Sequence, residues 1–394
     1  MHHKFRFFLI LIICGLSTFA NLSAAEPKLM QSQVKGLLVI ALPNNGFAGG
    51  ATQMNATAIP LDENDGESFD LCFNQNVGDV MRAATEEVEK FMRIRHGKNL
   101  PSGHQIEFGF ADKGTIKDGP SAAVACAMMA ESIITGEEIQ TSFAVTGDIT
   151  ATGEVRPVGG ILGKVRGAAK RDCKVMAVPI GNKADIDDIY VLEGINSIIA
   201  TQIILIENFD QAWQVGRGER SDKIQQALDD YEMIQAAITR SSASINHAQV
   251  REKLKSILEV IPNHDSARLI ALHSVGKGPK KLSLAGSIQA IQGAAKELNA
   301  TIASGNFQER GVNSPLWTNV SLLNRLRENV DPRTKDYLDA FLKNATVLKD
   351  FIASGKKQWT SEQLRELNNC AISIQAEELK ITNNVEIQEE LIDQ

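Results

Sequence analysis

The stretch Lys117–Ser132, "KDGPSAAVACAMMAES", changes character halfway. A charged turn containing Gly119 and Pro120 delivers one hydroxyl, Ser121, to the mouth of an almost uniformly apolar helix. On both sides of it, from Val34 to about Gly216, strand-like runs alternate with helix-like ones, an α/β or α+β signature. The strands expected are "VKGLLVIAL" (34–42), "HQIEFGF" (104–110, with Ile106, Phe108 and Phe110 on one face), "SFAVTGDIT" (142–150), "KVMAVPI" (174–180) and "TQIILIE" (201–207). Between the first two, "VGDVMRAATEEVEKFMRIRHG" sets Val77, Val80, Met81, Ala84, Val88 and Phe91 at three- and four-residue steps, with Gly97 as a stop.

After about Arg217 the strand runs vanish, and patterns rich in Gln, Ala, Leu, Lys and Glu predict an all-helical region to the C-terminus. Turn chemistry at "NHDS", "VGKGPKK", "ASGNFQERGVNSP" and "ASGKKQW" divides it into about five to seven helices. The junction "LKSILEVIPNHDSARLIAL", with Pro262 closing one helix and Asp265 opening the next, is TPR-like, resembling the helix-turn-helix step of a tetratricopeptide repeat. No second copy recurs at a fixed period, which favours ordinary helical hairpins.

Composition sets outer limits. With 394 residues, 43% of them hydrophobic and 23% charged, there is room for two domains. A formal charge of −7 offers no basic footprint for a polyanion, so nucleic acid is not an expected partner. Residues 1–25 have the three parts of a secretory leader: a basic start (His3, Lys4, Arg6), the apolar "FFLILIICGL", and small residues spaced for cleavage after Ala25. They predict an exported chain, periplasmic or secreted, that begins near Glu26. A lipoprotein anchor on Cys14 is disfavoured by the bulk of Ile13, and an uncleaved anchor by a run shorter than the roughly 20 apolar residues of a span. Cys72, Cys126, Cys173 and Cys370 are too scattered for a disulfide framework or a zinc pattern, and Cys126 reads as packing. Neither a metal nor another cofactor is expected.

A serine hydroxyl attacks only when a base takes its proton. None of the seven histidines (2, 3, 96, 104, 247, 264, 273) lies between residues 104 and 247, the segment that holds Ser121 and the glycine-rich loops after it. Recruiting His104 would be needed for a histidine triad, and nothing near it resembles a presenting loop. A lysine serves instead if burial makes its neutral form accessible. In "GEVRPVGGILGKVRGAAK" the turn at Gly159 and Gly160 leads into an apolar helix that carries Lys164 in its first turns, where an ammonium would lose solvent. Thr146, at the end of "AVTGDIT", could hold that amine by a hydrogen bond.

Taken in order, "KDGPSA", "VTGDITATGEVRPVGGILGK" and "KVMAVPIGNKADIDDI" resemble the proteolytic domain of Lon proteases, which use a Ser-Lys dyad. Ser121 and Lys164 stand 43 residues apart, as the family pattern requires. The resemblance covers roughly Val34 to Gly216 and implies an α+β proteolytic domain, residues 26–216, ahead of the helical region 217–394 read from the change of texture. It makes Ser121 the nucleophile and Lys164 the general base, with Thr146 positioning the lysine and Asp118 in support. The helix end behind Ser121 would supply an oxyanion hole. The chain departs from the pattern at Ala123, where glycine is usual, at Glu107 and Gly109, where many members carry histidines, and at Asp148, where glutamate is common.

Lon proteases that unfold their substrates carry an ATPase module, yet only about eight residues separate the cleavage site from the first strand, and no G-x-x-x-x-G-K-[ST] pattern occurs. The expectation is therefore an ATP-independent endopeptidase of unfolded or flexible polypeptides. The family also implies a hexameric ring, and the helical region reads as a place for substrate or a protein partner. Two other readings stay open: a non-catalytic protein-binding scaffold on a protease-like fold, and an esterase or acyl transferase using the same dyad.

Overall fold

The computed structural model describes residues 26–41, 47–61, 69–114, 116–304, 315–354 and 358–393. The leader, residues 1–25, lies outside the described residues. The chain opens with strands β1 (Gln31–Ala41), β2 (Phe47–Pro60) and β3 (Phe69–Phe73), then helix α1 (Asp79–His96), strand β4 (His104–Phe110) and helix α2 (Ala123–Thr135). Short strands β5 (Phe143–Val145), β6 (Asp148–Ile149) and β7 (Val155–Arg156) lead to α3 (Ile161–Lys170) and β8 (Val175–Pro179). Next come α4 (Lys183–Glu193), α5 (Ile195–Ile199), β9 (Gln202–Ile206) and α6 (Phe209–Gly216). Helices alone follow: α7 (Asp222–Arg240), α8 (Ala248–Val260), α9 (Asp265–Ser274), α10 (Leu284–Ser304), α11 (Pro315–Leu326), α12 (Lys335–Ala353), α13 (Ser361–Asn383) and α14 (Val385–Asp393).

Seven strands make one mixed sheet in the order β3-β4-β2-β1-β5-β8-β9. β2 runs antiparallel to both β1 and β4, and β5, β8 and β9 continue parallel to β1. The α+β class with a helical C-terminal region is as the sequence implies. In β4, Ile106, Phe108 and Phe110 are all buried, as their alternation requires. α2 has no polar stripe because it is covered all round: every residue from Ala123 to Ile134 is buried against surroundings that include α1, β1 and β2. Its one carboxylate, Glu131, is paired with Arg95 (3.0 Å) and His96 (2.7 Å) of α1.

Several expectations shift in detail. Val80 is half exposed, because α1 begins only at Asp79 and its first turn precedes the core contact made by Met81, Ala84, Val88 and Phe91. The run 142–150 is two strands rather than one. It leaves the sheet after Val145, where Thr146 N–H still bonds Ala177 O but Gly147 N–H turns to Ser121 O (3.0 Å). β2 was not anticipated at all. Its glycines replace apolar bulk because α3 lies directly on it: a Cβ on Gly49 would sit 1.5 Å from Gly163 O, and one on Gly167 would sit 2.7 Å from Gly50 N.

Eight helices follow Arg217 among the described residues, against five to seven expected. One additional break falls at Asn384, whose extended backbone ends α13 and whose side chain accepts from Ile387 N–H (3.1 Å) to start α14. The change of texture at residue 217 is not a change of core. Leu228, Tyr231, Ile234, Leu254, Ile257 and Ile270, from α7–α9, belong to the same apolar cluster as α2 and the sheet. The turn at Pro262 is bonded to β9, since Leu205 N–H donates to Asn263 O (2.9 Å) and Asn263 Nδ2 donates back to Leu205 O. Fully buried His264 stacks on Tyr231 at 4.7 Å and bonds Gln202. A second cluster runs from Leu282 to Ile387 and gathers α10–α14. α4, whose Ile186 and Ile189 belong to a third cluster with Leu37, Val165 and Met176, is tied to the second, since Asp188 accepts from Ser283 N–H (2.7 Å) and Oγ (2.6 Å) just ahead of α10.

Candidate active site

Ser121 sits in a single 3-10 turn, Pro120–Ala122, entered through Gly119 at φ 105°, a left-handed value that glycine alone takes without strain. The cap position of α2 is Ala122 and receives no side-chain hydrogen bond, so Ser121 has no capping task to explain it. Its carbonyl is held instead: Gly147 N–H donates to it at 3.0 Å and Thr146 Oγ1 at 3.1 Å. The break after β5 thus fastens the serine turn.

Lys164 reaches the same point from α3. Its Nζ donates to Thr146 Oγ1 at 3.0 Å, and both side chains are buried, at 2% and 0% exposure. The structure therefore brings three of the four candidates together in one chain of hydrogen bonds, from Lys164 through Thr146 to the backbone of Ser121. Burial disfavours the ammonium and brings the Lys164 pKa down from 10.5 to about 8, with the negative charge of Asp185 resisting the fall. About one such lysine in ten is neutral at pH 7, where an ordinary lysine has almost none.

The seat of Lys164 is built from its neighbours. Asn182 clamps Val158, accepting from its N–H and donating to its C=O, both at 2.9 Å, which fixes the strand exit ahead of Gly159 and Gly160. α3 then presses on β2 through paired glycines, so the helix carrying the lysine has no slack against the sheet.

Residues 43–212, which hold all four candidate residues, match the family model of the Lon protease (S16) C-terminal proteolytic domain. This segment is a Lon-type proteolytic domain. Lon protease of Desulforamulus reducens is 30% identical over 149 residues, covering 36% of this chain and 18% of the relative. Lon protease of Flavobacterium johnsoniae is 32% identical over 157 residues (37% and 19%), and that of Escherichia coli K12 is 30% identical over 124 (30% and 16%). The chain spans under a fifth of the length of each of these relatives.

In this Lon-type domain the fourth candidate has other partners. The carboxylate of Asp118 accepts from Met81 N–H (3.0 Å) and Gly119 N–H (2.8 Å). Gly78, the cap residue of α1, has no side chain to offer, and a Cβ there would lie 2.1 Å from Asp118 Cγ. Asp118 thus caps α1 from another segment and ties the serine turn to that helix.

Two residues of the domain escaped the sequence reading as individuals, Asn182 and Asp185. Asn182 donates to Asp185 at 2.8 Å, and burial raises the Asp185 pKa while the charge of Lys164 opposes that rise. Both lie in the quoted stretch "KVMAVPIGNKADIDDI", but a carboxylate buried toward a lysine on another helix leaves no local pattern. Among the described residues no group of His, Cys, Asp or Glu could hold a metal ion, and no helix is long and apolar enough to cross a membrane.

Proposed function

We propose that this chain is a serine endopeptidase in which Ser121 is the nucleophile and Lys164 the general base, working without ATP on unfolded or flexible polypeptides. One observation carries the reading: a buried lysine amine, bonded to Thr146, which in turn bonds the Ser121 carbonyl, inside a Lon-type domain. A lysine so desolvated supplies the neutral amine that a serine needs.

In the proposed cycle Lys164 Nζ takes the Ser121 Oγ proton as Oγ attacks the peptide carbonyl. Ala123 N–H and Val124 N–H are engaged with Pro120 O and Gly147 O, so the oxyanion falls to the N–H groups of the serine turn itself. As the C–N bond breaks, the Lys164 ammonium gives its proton to the leaving amine. Water then enters with Lys164 as base, and the acid product leaves with Ser121 restored.

The absence of a G-x-x-x-x-G-K-[ST] pattern from the sequence supports action without ATP, and the leader pattern of residues 1–25 supports export. A hexameric ring is proposed from the family resemblance alone. The test is incubation of the chain from Glu26 with casein, without nucleotide, beside Ser121→Ala and Lys164→Ala, with fragments followed by mass spectrometry. Cleavage by the parent alone supports the proposal. An inert parent sinks it and gives first place to the non-catalytic scaffold.

A further inference from the structure

Asp188 is an unfavourable residue to bury. It is 7% exposed on α4, and burial raises its pKa, the two hydrogen bonds from Ser283 oppose that rise, and the like charges of Asp185 and Asp187 add to it. A well-packed apolar side chain at this point would hold α4 in place without a carboxylate to satisfy. The carboxylate is answered from 95 residues further along the chain, outside the segment that matches the Lon-type domain, by Ser283 N–H at 2.7 Å and Ser283 Oγ at 2.6 Å. The same Oγ accepts from Gly286 N–H at 2.9 Å, so the residue that caps α10 also grips α4. Gly286 is fitted to this contact, since a Cβ there would lie 1.9 Å from Asp188 Oδ2.

The grip falls one helical turn from the base. Asp185, three residues before Asp188, accepts from Asn182 Nδ2 at 2.8 Å, and its charge acts on Lys164. Asn182 in turn clamps Val158 ahead of the turn into α3. At the other end of α4, Glu193 pairs with Arg166, two residues past Lys164 on α3. The remaining charges of α4 are taken up by neighbours: Lys183 pairs with Asp187 at 2.6 Å, and Arg268 of α9 bridges Asp187 and Asp265. α4 is thus fastened to α3 on one side and to α9 and the head of α10 on the other. A shift of α4 is a shift of the seat of Lys164.

We propose that Ser283 is a positioning residue for Lys164: from the head of α10 it holds α4, through Asp188, in the place that sets Asn182 and Asp185 against the base. The proposal rests on the peptidase reading in taking Lys164 as that base. Without the Ser283 hydroxyl, Asp188 is a buried carboxylate short of a donor beside Asp185, a state relieved by movement of α4 toward water. Asn182 and Asp185 move with it, and solvent reaches the lysine. Burial is the larger influence on Lys164 and the charge of Asp185 the smaller, so the amine then holds its proton to higher pH.

The test reads Lys164 itself. The full chain is labelled with carbon-13 at lysine Cε, and the Lys164 resonance, identified by its loss in Lys164→Met, is followed against pH. Ser283→Ala removes the hydroxyl, Gly286→Ala forces a methyl against Asp188, and Ser283→Thr restores the hydroxyl. The parent and Ser283→Thr are expected to titrate near 8, and both alanine variants about half a unit or more higher. Half a unit leaves about threefold less neutral amine at pH 7, and casein cleavage should fall to match. A Lys164 titration unmoved in either alanine variant overturns the proposal, even where the melting temperature falls, because capping α10 is then all that Ser283 does. A downward shift, or one that Ser283→Thr fails to recover, overturns it as well. If Ser283→Ala does not fold, Gly286→Ala, which keeps every donor and favours the helix, decides alone. The titration needs no turnover, so the two readings separate. A parent that cleaves no casein, beside alanine variants that move the lysine, sinks the peptidase reading and leaves this one standing. Cleavage by the parent, with the lysine titrating alike in every variant, does the reverse.

Discussion

Lys164 Nζ lies 3.0 Å from Thr146 Oγ1 in a site where neither side chain meets solvent. A buried ammonium with a neutral hydroxyl as its hydrogen-bond acceptor is costly, and that cost is what suits the lysine to the part of base in the proposed cycle.

The pH dependence follows from the direction of the shift. In the proposed cycle the base works deprotonated, so peptide hydrolysis is expected to rise with pH through a midpoint near the depressed value of about 8 and to level off above it. A rate profile flat from acid to alkaline pH would remove Lys164 from the role.

Stability carries the opposite mark of the same group. The folded pKa lies below the unfolded 10.5, so at pH below about 8 the folded chain bears the whole penalty of a buried cation, on the order of 3 kcal/mol. That penalty fades as pH rises toward 10.5, because the folded state has already released the proton. Lys164→Met is therefore expected to abolish hydrolysis yet melt at a higher temperature than the parent at pH 6.5. The gap should narrow at pH 10, and scanning calorimetry at the two pH values measures it.

Removing the charge of Asp185 should move the base further. Its carboxylate favours the ammonium, so Asp185→Asn is expected to shift the midpoint of the rate profile below about 8. An upward shift would contradict this placement.

Thr146→Val deletes both the acceptor of Lys164 and the donor to Ser121 O. The expected loss in kcat/KM is about 10- to 100-fold, with a stability cost of about 1–3 kcal/mol. Thr146→Ser, which keeps the hydroxyl, should recover most of both. Equal rates for Thr146→Val and the parent in a peptide assay would mean the bridge is idle.

Asp118 is expected to act through α1 rather than on the reacting atoms. Asp118→Ala should lower stability by about 1 kcal/mol, read from urea unfolding, and Asp118→Asn, which can still cap, should lose much less. A large fall in kcat for Asp118→Asn at unchanged stability would place the carboxylate in the chemistry instead.

What could be read without coordinates was whatever has a period or a spacing. The alternation of Ile106, Phe108 and Phe110 gave β4 its bounds, and the all-apolar composition of α2 announced a helix covered on every side. β2 was hidden because its glycines answer to α3, more than a hundred residues away in sequence, and a close approach of two backbones has no local signature. At the site, Ser121, Thr146 and Lys164 were legible from motif order. The bond from Thr146 to the serine carbonyl was not, because it depends on the strand bending out of the sheet at Gly147. Asp118 was legible as a residue but not in its partner, because the donors it meets are main-chain N–H groups.

β9 is the last strand of the sheet, and the segment at Asn263 and His264 occupies its free side. A protein engineer who trimmed the chain at the texture change near residue 217 would strip that cover. The result would be a bare parallel edge flanked by the uncovered apolar residues that α7–α9 bury, the kind of surface on which foreign chains template and precipitate. The smallest portable version of this Lon-type domain is therefore expected to end beyond α9, in the linker before Leu282, and not where the strands stop.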